Sequence, residues 1–409
     1  MKACVLTLGC KLNEVESASL MRGLEEEGYE TTETLSYADL YLINTCAVTA
    51  EAERKSRQAV ARVRKFNPAA PVIVLGCASQ NNPQAFSSRE GVLFVAGAQG
   101  KAKVLSLLRE RARGEFCAEE GAFCELPAPK RVKTRAFLRI QDGCNRFCSY
   151  CLIPYLRGRS RSRSAESIVK EAAACGAKEI VLTGVDASSY RDGETDLGGL
   201  FTLLGSVPAR IRLGSLEPGA VTEEFLRRMK EAGNVAPHFH LSLQSGSSKI
   251  LRAMNRKYTR EEYLEKCALI YRAFPDAAVT TDLIAGFPGE TEEDFEQSLS
   301  IIKEVGFARI HAFPFSPRKG TAAAKLQDLP AEVKKERTAR LIEEGAKAEE
   351  EFLLRFVGRE ETVLFEEDGG YTGNYIRVYA EGAREGSLCR VRLIKRERDG
   401  LSAEIIEEI

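Results

Sequence analysis

The sequence contains no tryptophan and only three histidines, so zinc sites with mixed cysteine and histidine ligands are hard to build from it. Its 59 basic and 59 acidic residues give no formal net charge, which excludes recruitment of nucleic acid by a uniform field. No apolar run approaches the ~20 residues of a membrane span, and no secretory signal opens the chain. We therefore expect a cytoplasmic protein in a reducing compartment, without a membrane partner.

Cysteine, in contrast, is abundant, with 12 residues among 409. In a reducing compartment, clustered cysteines more often bind metal or perform chemistry than form disulfides. Burial explains four of the cysteines, which are Cys4, Cys175, Cys267 and Cys389. The pattern assigns no role to Cys117 and Cys124. The other six are the candidates for chemistry.

The order of strands and helices predicts an α/β protein. Helices alternate with four short apolar strands at 3–8, 40–43, 71–75 and 92–95, which predicts a doubly wound parallel sheet. A linker at 115–133 precedes six βα units, with strands at 137–140, 179–182, 210–213, 238–243, 279–284 and 309–313, which suit a partial (βα)6 barrel. After a charged helix at 331–357, the β-rich end suits a small five-stranded barrel. The predicted domains are 1–125, 130–357 and 358–409.

Cys144, Cys148 and Cys151 form a CxxxCxxC pattern after a predicted strand, without helical periodicity. A flexible loop of this kind can place three thiolates around one 4Fe–4S cubane, each on a different iron. The fourth iron then keeps an open position, which a chelating substrate requires. The alternative is a zinc knuckle completed by a distant cysteine, but the sequence has no second CxxC to complete a zinc ribbon. The pattern therefore favours an iron–sulfur cluster.

Cys10, Cys46 and Cys77 each follow the end of a predicted strand within a residue or two. Because parallel strands place their carboxyl ends on one edge of a sheet, we expect these cysteines to converge there without a local motif. Gly9 and Gly76 precede two of them and permit a tight backbone turn. The alternative is three buried structural cysteines. The repeated strand-end position favours a second cluster site.

The segment 142–151 resembles the radical S-adenosylmethionine superfamily, with Tyr150 at its aromatic position before the last cysteine. With both triplets, and with Asn44-Thr-Cys-Ala-Val-Thr and Leu241-Ser-Leu-Gln-Ser-Gly-Ser, the whole chain looks like the methylthiotransferase family. The resemblance implies an N-terminal cluster domain, a radical barrel and a C-terminal TRAM domain. A TRAM domain is a small barrel that binds RNA. The resemblance also implies two 4Fe–4S clusters and S-adenosylmethionine, which the open iron chelates and which is cleaved to a 5′-deoxyadenosyl radical.

Lys11, directly after the first cysteine, resembles the branch of that family that acts on N6-threonylcarbamoyladenosine beside the tRNA anticodon. The isopentenyladenosine branch usually has Gln-Met-Asn there, and the ribosomal-protein branch Pro-Lys-Asn. The resemblance implies that one S-adenosylmethionine methylates sulfur carried by the N-terminal cluster and that a second one supplies the radical. We therefore expect insertion of a methylthio group at carbon 2 of this adenine, at tRNA position 37.

Glycine-rich strand ends line the S-adenosylmethionine site according to the same resemblance. Thr183-Gly-Val-Asp186 stands where the superfamily usually has Gly-Gly-Glu, which makes Asp186 the candidate partner of the amino group. The alternative for the glycines is ordinary loop geometry, but their recurrence at strand ends favours a functional interpretation. The candidate cofactor residues are Tyr150, Gly184, Asp186, Ser215, Glu217, Gln244, Ile284 and Gly286.

Two basic segments are candidates for RNA contact. From 130 to 163 the chain has ten lysines and arginines and one acid, and in an extended segment alternate residues share a face that can follow a phosphate backbone. The alternating residues are Arg157, Arg159, Arg161 and Arg163. The alternative is a solvated basic loop. The second segment, near the aromatic side chains of Tyr371, Tyr375 and Tyr379, contains Arg390, Arg392 and Lys395.

The expected partners are the anticodon stem-loop of tRNA and an electron donor such as flavodoxin or ferredoxin, and we expect a monomer. The sequence does not identify the sulfur donor. Three alternatives stay open: the same chemistry on isopentenyladenosine tRNA, the same chemistry on a ribosomal-protein aspartate, and a non-catalytic RNA-binding protein with structural zinc.

Overall fold

A computed structural model of the chain describes residues 1–117, 121, 123–128 and 134–409. The chain divides into two compact units. The first unit comprises Met1–Arg131, Gln141–Arg163 and Ser316–Ala324, and the second comprises Val132–Ile140, Ser164–Phe315 and Lys325–Ile409. The loop with the CxxxCxxC pattern therefore groups with the N-terminal sheet rather than with the barrel strands. Residues 118–120, 122 and 129–133 of the predicted linker, which include the basic residues 130–133, lie outside the described residues.

The first unit is built on a parallel sheet whose strands follow the order β2-β1-β3-β4-β5-β6. The strands are β1 (Lys2–Thr7), β2 (Glu30–Thr32), β3 (Leu40–Thr45), β4 (Val72–Gly76), β5 (Val92–Gly97) and β6 (Gly114–Glu115). The helices are α1 (Lys11–Glu26), α2 (Ala50–Arg64), α3 (Cys77–Asn81), α4 (Gln84–Ser87) and α5 (Val104–Arg109). The predicted strands are confirmed, and β2 and β6 are additional short edge strands.

Both faces of this sheet are covered, which is why its central strands are apolar throughout. Tyr41 and Ile43 of β3 point into one core, whereas Leu40 and Leu42 point into the other. Helix α2 begins at Thr49, whose side chain accepts a hydrogen bond from the Ala52 N–H and so satisfies one free amide of the first turn. The architecture is the predicted doubly wound sheet.

The middle of the chain supplies a hairpin and an open barrel. The strands are β7 (Arg135–Arg139), β8 (Gln141–Asp142), β9 (Arg161–Ser162), β10 (Glu179–Thr183), β11 (Arg191–Asp192), β12 (Thr195–Asp196), β13 (Arg210–Leu213), β14 (Ser215–Leu216), β15 (His238–Leu241), β16 (Ala278–Ala285) and β17 (Arg309–Pro314). The helices are α6 (Ile153–Arg157), α7 (Ala165–Ala174), α8 (Leu197–Leu204), α9 (Glu223–Ala232), α10 (Ser248–Ala253), α11 (Arg260–Ala273) and α12 (Glu292–Val305).

The barrel strands follow one another in chain order. β7, β10 and β13 form one parallel sheet, and β14, β15, β16 and β17 form a second one that continues directly after Gly214. Helices α11 and α12 each begin with a threonine that forms a capping box with the acid three residues later. The arrangement confirms the predicted partial barrel of six βα units.

The C-terminal part of the second unit is a long helix followed by a closed five-stranded barrel. Helix α13 (Ala331–Leu354) packs its Gly345 against Ile310 of β17, where a side chain at Gly345 would collide. The barrel order is β18-β19-β20-β22-β21. Its strands are β18 (Glu360–Glu366), β19 (Gly369–Thr372), β20 (Arg377–Tyr379), β21 (Leu388–Glu397) and β22 (Gly400–Glu408). The predicted small barrel is confirmed, with β19 as the strand that the pattern had not resolved.

No helix in the described part of the chain has both the length and the apolar character needed to cross a membrane.

Candidate functional site

The first cysteine triplet lies at the carboxyl ends of three neighbouring strands. Cys10 follows β1 at the start of α1, Cys46 follows β3, and Cys77 begins α3 directly after β4. These strands are adjacent in the order β1-β3-β4, so the expected convergence at one sheet edge is present. Gly9 has φ +104°, and a side chain there would collide with the Cys46 side chain.

The backbone around this triplet is fixed by polar side chains of the surrounding motifs. The Asn13 amide donates to the Leu8 carbonyl at 2.8 Å and to the Thr45 carbonyl at 3.1 Å, which joins the ends of β1 and β3. Thr45 Oγ1 donates to the Leu75 carbonyl at 2.7 Å, which joins β3 to β4. Each strand end is therefore held against its neighbour within two residues of a cysteine.

The three thiols differ in exposure. Cys46 and Cys77 are buried and Cys10 is exposed. Burial raises the pKa of the Cys46 thiol, and the nearby Cys77 and Cys10 raise this pKa further, whereas Arg157 lowers it. One exposed thiol beside two buried ones makes a site that is open on one side.

The second triplet lies in a loop closed by a short antiparallel pair. β8 pairs with β9, and the Cys144 N–H donates to the Gly158 carbonyl at 3.1 Å, so the loop returns to its own start. Cys144, Cys148 and Cys151 are all half-buried. The Cys144 sulfur accepts the Arg146 N–H, and the Cys151 sulfur accepts the Ile153 N–H, each at 3.4 Å.

The donor sets of both triplets fit iron–sulfur clusters. Backbone N–H groups that point at cysteine sulfur stabilise thiolates, which are the cluster ligands. Among the described residues, no group of three or more histidine, cysteine or acidic side chains is arranged to hold a metal ion. A cubane spreads its cysteines over different irons, so its ligands need not meet at one point.

A buried charge network connects the sequences that flank the two triplets, and sequence reasoning missed it. Arg157 is 1% exposed and donates to Glu16 at 3.0 and 3.1 Å, to Asp142 at 2.9 Å and to Asn13 at 3.0 Å. Lys101, also buried, pairs with Glu16. Asn13 and Glu16 belong to the motif after Cys10, whereas Asp142 and Arg157 bracket the second triplet. The sequence did contain a signal for this network, because Asn13 and Glu16 are polar residues on an otherwise core-facing part of α1.

The prediction that four alternating arginines share one exposed face is wrong. Arg157 ends helix α6 and is buried by its two carboxylate partners, so it has no access to phosphate. Arg163 is 8% exposed and pairs with Glu125 at 2.9 Å, and Arg161 pairs with Asp142 at 2.9 Å. Arg159 is the exposed member, and its guanidinium stacks 4.7 Å from the Phe147 ring centroid.

In the second unit, the candidate cofactor residues recur at the carboxyl ends of the barrel strands. Gln244 has φ +74°, donates its N–H to the Asp282 carbonyl at 2.9 Å and accepts the Ile284 N–H at 2.9 Å. Two predicted residues, Gln244 and Ile284, are thereby brought side by side. Gly286 follows with φ +71°, and its N–H donates to the buried Glu290 carboxylate at 2.8 Å.

A second contact set links the preceding strand ends. The Glu217 carboxylate accepts the Arg256 guanidinium at 2.5 Å, and the Glu217 N–H donates to Ser188 Oγ at 2.8 Å. Asp186 is buried at the start of the turn that carries Ser188, and Gly184, two residues earlier, is half-buried. Ser215, two residues before Glu217, is exposed. Tyr150 belongs to the first unit and is half-buried in the cysteine loop. Arg256, which sequence reasoning missed, fixes the orientation of Glu217.

The basic residues of the C-terminal barrel are exposed but carry ion pairs. Arg390 contacts Glu407 at 3.0 Å, and Arg392 contacts Glu360 at 2.8 Å, whereas Lys395 is exposed. The rings of Tyr371 and Tyr375 stack on each other at 4.6 Å. Their other faces are occupied by guanidinium groups of the open barrel, with Arg135 over Tyr371 at 4.4 Å and Arg212 over Tyr375 at 4.5 Å. These two tyrosines therefore pack on arginines of β7 and β13.

Two sequence-family profiles match the chain. The profile described as "Radical SAM superfamily" matches residues 138–302, and "Uncharacterized protein family UPF0004" matches residues 2–97. The first match begins in β7 and includes the CxxxCxxC loop. The second covers the sheet that carries Cys10, Cys46 and Cys77.

Solved structures with this fold include the radical S-adenosylmethionine methyltransferase TsrM from Kitasatospora setae. It aligns with a TM-score of 0.59 at 15% identity and covers 79% of this chain and 74% of that one. At this identity the similarity concerns the fold alone.

Characterised relatives match almost from end to end. The threonylcarbamoyladenosine tRNA methylthiotransferase MtaB of Aquifex aeolicus is 39% identical over 96% of this chain and 100% of its own length, and that of Bacillus subtilis is 37% identical over 95% and 93%. The tRNA-2-methylthio-N(6)-dimethylallyladenosine synthase of Thermodesulfovibrio yellowstonii is 34% identical over 98% of both chains. This chain belongs to the radical S-adenosylmethionine tRNA methylthiotransferase family, whose members use a 4Fe–4S cluster and S-adenosylmethionine.

Proposed function

We propose that the chain inserts a methylthio group at carbon 2 of N6-threonylcarbamoyladenosine at position 37 of tRNA. The observation that carries this proposal is the pair of cysteine triplets in one compact unit, with Arg157 bound to residues that flank both. A single radical site needs one triplet, and insertion of sulfur calls for a second sulfur-carrying site. The relatives named for the threonylcarbamoyl substrate, at 37–39% identity, and Lys11 after the first cysteine support the choice of base.

The two triplets have different tasks in this proposal. When bound, the 4Fe–4S cluster at Cys144, Cys148 and Cys151 supplies the electron that cleaves S-adenosylmethionine, and the one at Cys10, Cys46 and Cys77 supplies sulfur. Two molecules of S-adenosylmethionine are used, one as methyl donor and one as radical source. An external reductant of the flavodoxin or ferredoxin class feeds electrons to the site.

The protein's own residues bind and orient the cofactor. Gln244, locked beside Ile284 by two backbone hydrogen bonds, and Gly286 at the following turn form the surface for the adenosine part. Glu217, held by Arg256, and Asp186 offer carboxylates to the amino group. Removing water from these strand ends strengthens each charge interaction with the sulfonium substrate.

RNA contact is assigned to the basic residues that remain exposed. Arg159 with Phe147 pairs a cation with an aromatic ring next to the cysteine loop, as single-stranded RNA binding requires. Arg390, Arg392 and Lys395 supply phosphate contacts on the C-terminal barrel, which acts as a TRAM domain. The anticodon loop suits such a site because its bases are easily splayed out.

Nucleoside mass spectrometry of tRNA tests this proposal. A strain that lacks the protein should contain unmodified threonylcarbamoyladenosine, and expression should add one methylthio group to that nucleoside. A methylthio group that appears on dimethylallyladenosine instead supports the second candidate, which is favoured by the 34% identity to dimethylallyladenosine synthases. Unchanged tRNA nucleosides on expression would contradict both.

A further inference from the structure

All three histidines of the chain lie on two strands of the open barrel. His238 and His240 belong to β15, and His311 belongs to β17. Strand β16 lies between them and contributes Asp282, which is opposite His311 in the register. Neither the cysteine chemistry nor the cofactor contacts account for this concentration of histidine.

His240, Asp282 and His311 point to the same face of the sheet. Along each strand alternate side chains take opposite faces, and the intervening residues of all three strands pack into the apolar core beneath the helices. These intervening residues are Phe239, Leu241, Val279, Leu283, Ile310 and Ala312. The three polar side chains, which we call the polar tier, therefore lie on the inner face of the barrel sheet.

Hydrogen bonds order the polar tier. His240 Nδ1 contacts Thr280 Oγ1 at 3.1 Å, and His240 Nε2 lies 3.4 Å from Asp282 Oδ2. The His240 and His311 rings have centroids 6.0 Å apart. The Asp282 side chain is still 33% exposed and that of His240 16%, so the tier is accessible although it lies in the middle of a sheet.

The polar tier suits a group that both donates and accepts hydrogen bonds. Burial lowers the pKa of His311, with a smaller opposing effect from Asp282, so His311 is neutral at pH 7 and offers one donor and one acceptor. Burial also lowers the pKa of His238, well below its usual value of 6.5, with Arg212 adding to the effect. Asp282 supplies an acceptor for N–H and O–H donors.

An apolar layer lies next to the polar tier, closer to the carboxyl ends of the strands. Ile284 and Phe313 are paired in the register two residues beyond Asp282 and His311. Phe313 is 51% exposed, which is unusual for a phenylalanine on a barrel strand. An exposed aromatic ring is a surface on which a purine stacks.

We propose that His240, Asp282 and His311 bind the threonylcarbamoyl substituent while the adenine ring packs on Phe313, an inference that rests on the proposed function. The urea N–H groups and the hydroxyl of the substituent donate to Asp282, and its carbonyl or carboxylate accepts from His311. A dimethylallyl group would displace water from these three polar side chains but could not form hydrogen bonds with them. Such unpaired polar groups cost roughly tenfold to a hundredfold in binding.

Binding of synthetic anticodon stem-loops to the reconstituted full-length protein tests the assignment, by fluorescence anisotropy in the presence of S-adenosylmethionine. The RNAs carry threonylcarbamoyladenosine, dimethylallyladenosine or plain adenosine at position 37. The wild-type protein should prefer the threonylcarbamoyl RNA by roughly tenfold or more. His311→Phe should bring this ratio near one while the affinity for the plain RNA is kept, and His311→Gln should restore part of it.

Asp282→Asn keeps the shape of the side chain and provides a second variant if His311→Phe does not fold. Glu343→Gln, an exposed acid on α13, is the matched control for loss of one negative charge, and its ratio should equal that of the wild type. A strong wild-type preference that survives in His311→Phe and Asp282→Asn overturns the assignment of the tier and leaves the proposed function intact. A wild-type protein without preference for the threonylcarbamoyl RNA overturns the proposed function itself.

Discussion

Two buried charge networks, one around Arg157 in the first unit and one around Glu179 in the second, are built differently. In the first unit, two acids, Glu16 and Asp142, face Lys101, Arg157 and Arg161, and the partners come from segments next to the cysteines. In the second unit, Glu179 faces Arg135, Arg210 and Arg212, and Arg135 also pairs with Glu366 at 3.2 Å. Arg135 and Arg210 are the register neighbours of Glu179 at the amino ends of β7 and β13, and Arg212 lies two residues further along β13.

The two networks also differ in the groups that surround them. In the second unit the excess of arginine is balanced by carbonyl oxygens and tyrosine faces of the C-terminal barrel, as where Arg212 donates to the Gly373 carbonyl at 2.9 Å. In the first unit, Arg157 acts electrostatically on Cys77 and Cys46. We infer that the Glu179 network stabilises the barrel, whereas the Arg157 network positions the cysteine loop.

Removal of Glu179 should have the largest effect on stability. Glu179→Gln leaves the buried Arg135 and Arg212 and the half-buried Arg210 without their shared carboxylate, and breaking such a pair costs about 3–5 kcal/mol. Because the chain has no tryptophan, thermal unfolding is best followed by circular dichroism. The melting temperature should fall strongly, and that of the exposed control Glu343→Gln should not. Equal melting temperatures for the two variants would contradict the stabilising role.

Acid should remove the contribution of the Glu179 carboxylate to the stability of the wild-type protein. Burial alone would raise the pKa of Glu179, but Arg212, Arg210 and Arg135 outweigh it and lower the pKa to about 2. A pKa below the ordinary 4.5 adds stability that is fully present above pH 4.5 and is lost as the pH falls towards 2, about 3 kcal/mol in total. The gap in urea midpoint between wild type and Glu179→Gln should therefore narrow from pH 5 to pH 3. A constant gap would show that Glu179 is not the titrating group.

Removal of Arg157 should cost less stability and more function. Arg157→Gln leaves Glu16 with Lys101 and Asp142 with Arg161, so we expect a loss of about 2 kcal/mol. The ratio of methylthio product to 5′-deoxyadenosine should fall several-fold because the two triplets lose their common anchor. Arg161→Gln, which breaks a contact to Asp142, is the graded control. If Arg157→Gln keeps the wild-type ratio of methylthio product to 5′-deoxyadenosine, Arg157 has a structural role only.

Replacement of Lys11 should have the smallest effect on stability. Lys11 is exposed and pairs with Glu14 at 2.8 Å, and such helical pairs contribute about 0.2–0.5 kcal/mol. Lys11→Gln should therefore unfold like the wild type, and any change should be confined to the methylthiolation of threonylcarbamoyl RNA. A large drop in melting temperature would mean that Lys11 is part of the fold.

Local patterns explain which features the sequence predicted. The strands before Cys10, Cys46 and Cys77 are short apolar runs that end in glycine or threonine, so their parallel pairing and the meeting of the cysteines follow from general sheet geometry. The turns at Gly9 and Gly76 were expected, and both residues have φ above +100°. The open barrel followed in the same way from the spacing of its strands.

Long-range pairing explains what the sequence did not predict. The burial of Arg157 depends on Glu16, which is 141 residues away in the sequence. A run of alternating arginines has the same sequence pattern whether its side chains are solvated or are paired with carboxylates of another segment. The polar tier joins β15, β16 and β17 through tertiary structure alone. Strand β19 begins with two glycines, which weaken any strand pattern.

The central claim is that the two cysteine triplets hold separate clusters with separate tasks, and a pair of triple variants tests it most directly. Iron, sulfide and 5′-deoxyadenosine are measured in anaerobically purified protein with S-adenosylmethionine and a strong reductant. Replacement of Cys144, Cys148 and Cys151 by Ala should leave about half of the iron and abolish 5′-deoxyadenosine formation. Replacement of Cys10, Cys46 and Cys77 by Ala should also leave about half of the iron but preserve 5′-deoxyadenosine formation while methylthio product disappears. Unchanged iron in either variant, or cleavage that persists without Cys144, Cys148 and Cys151, would contradict the account.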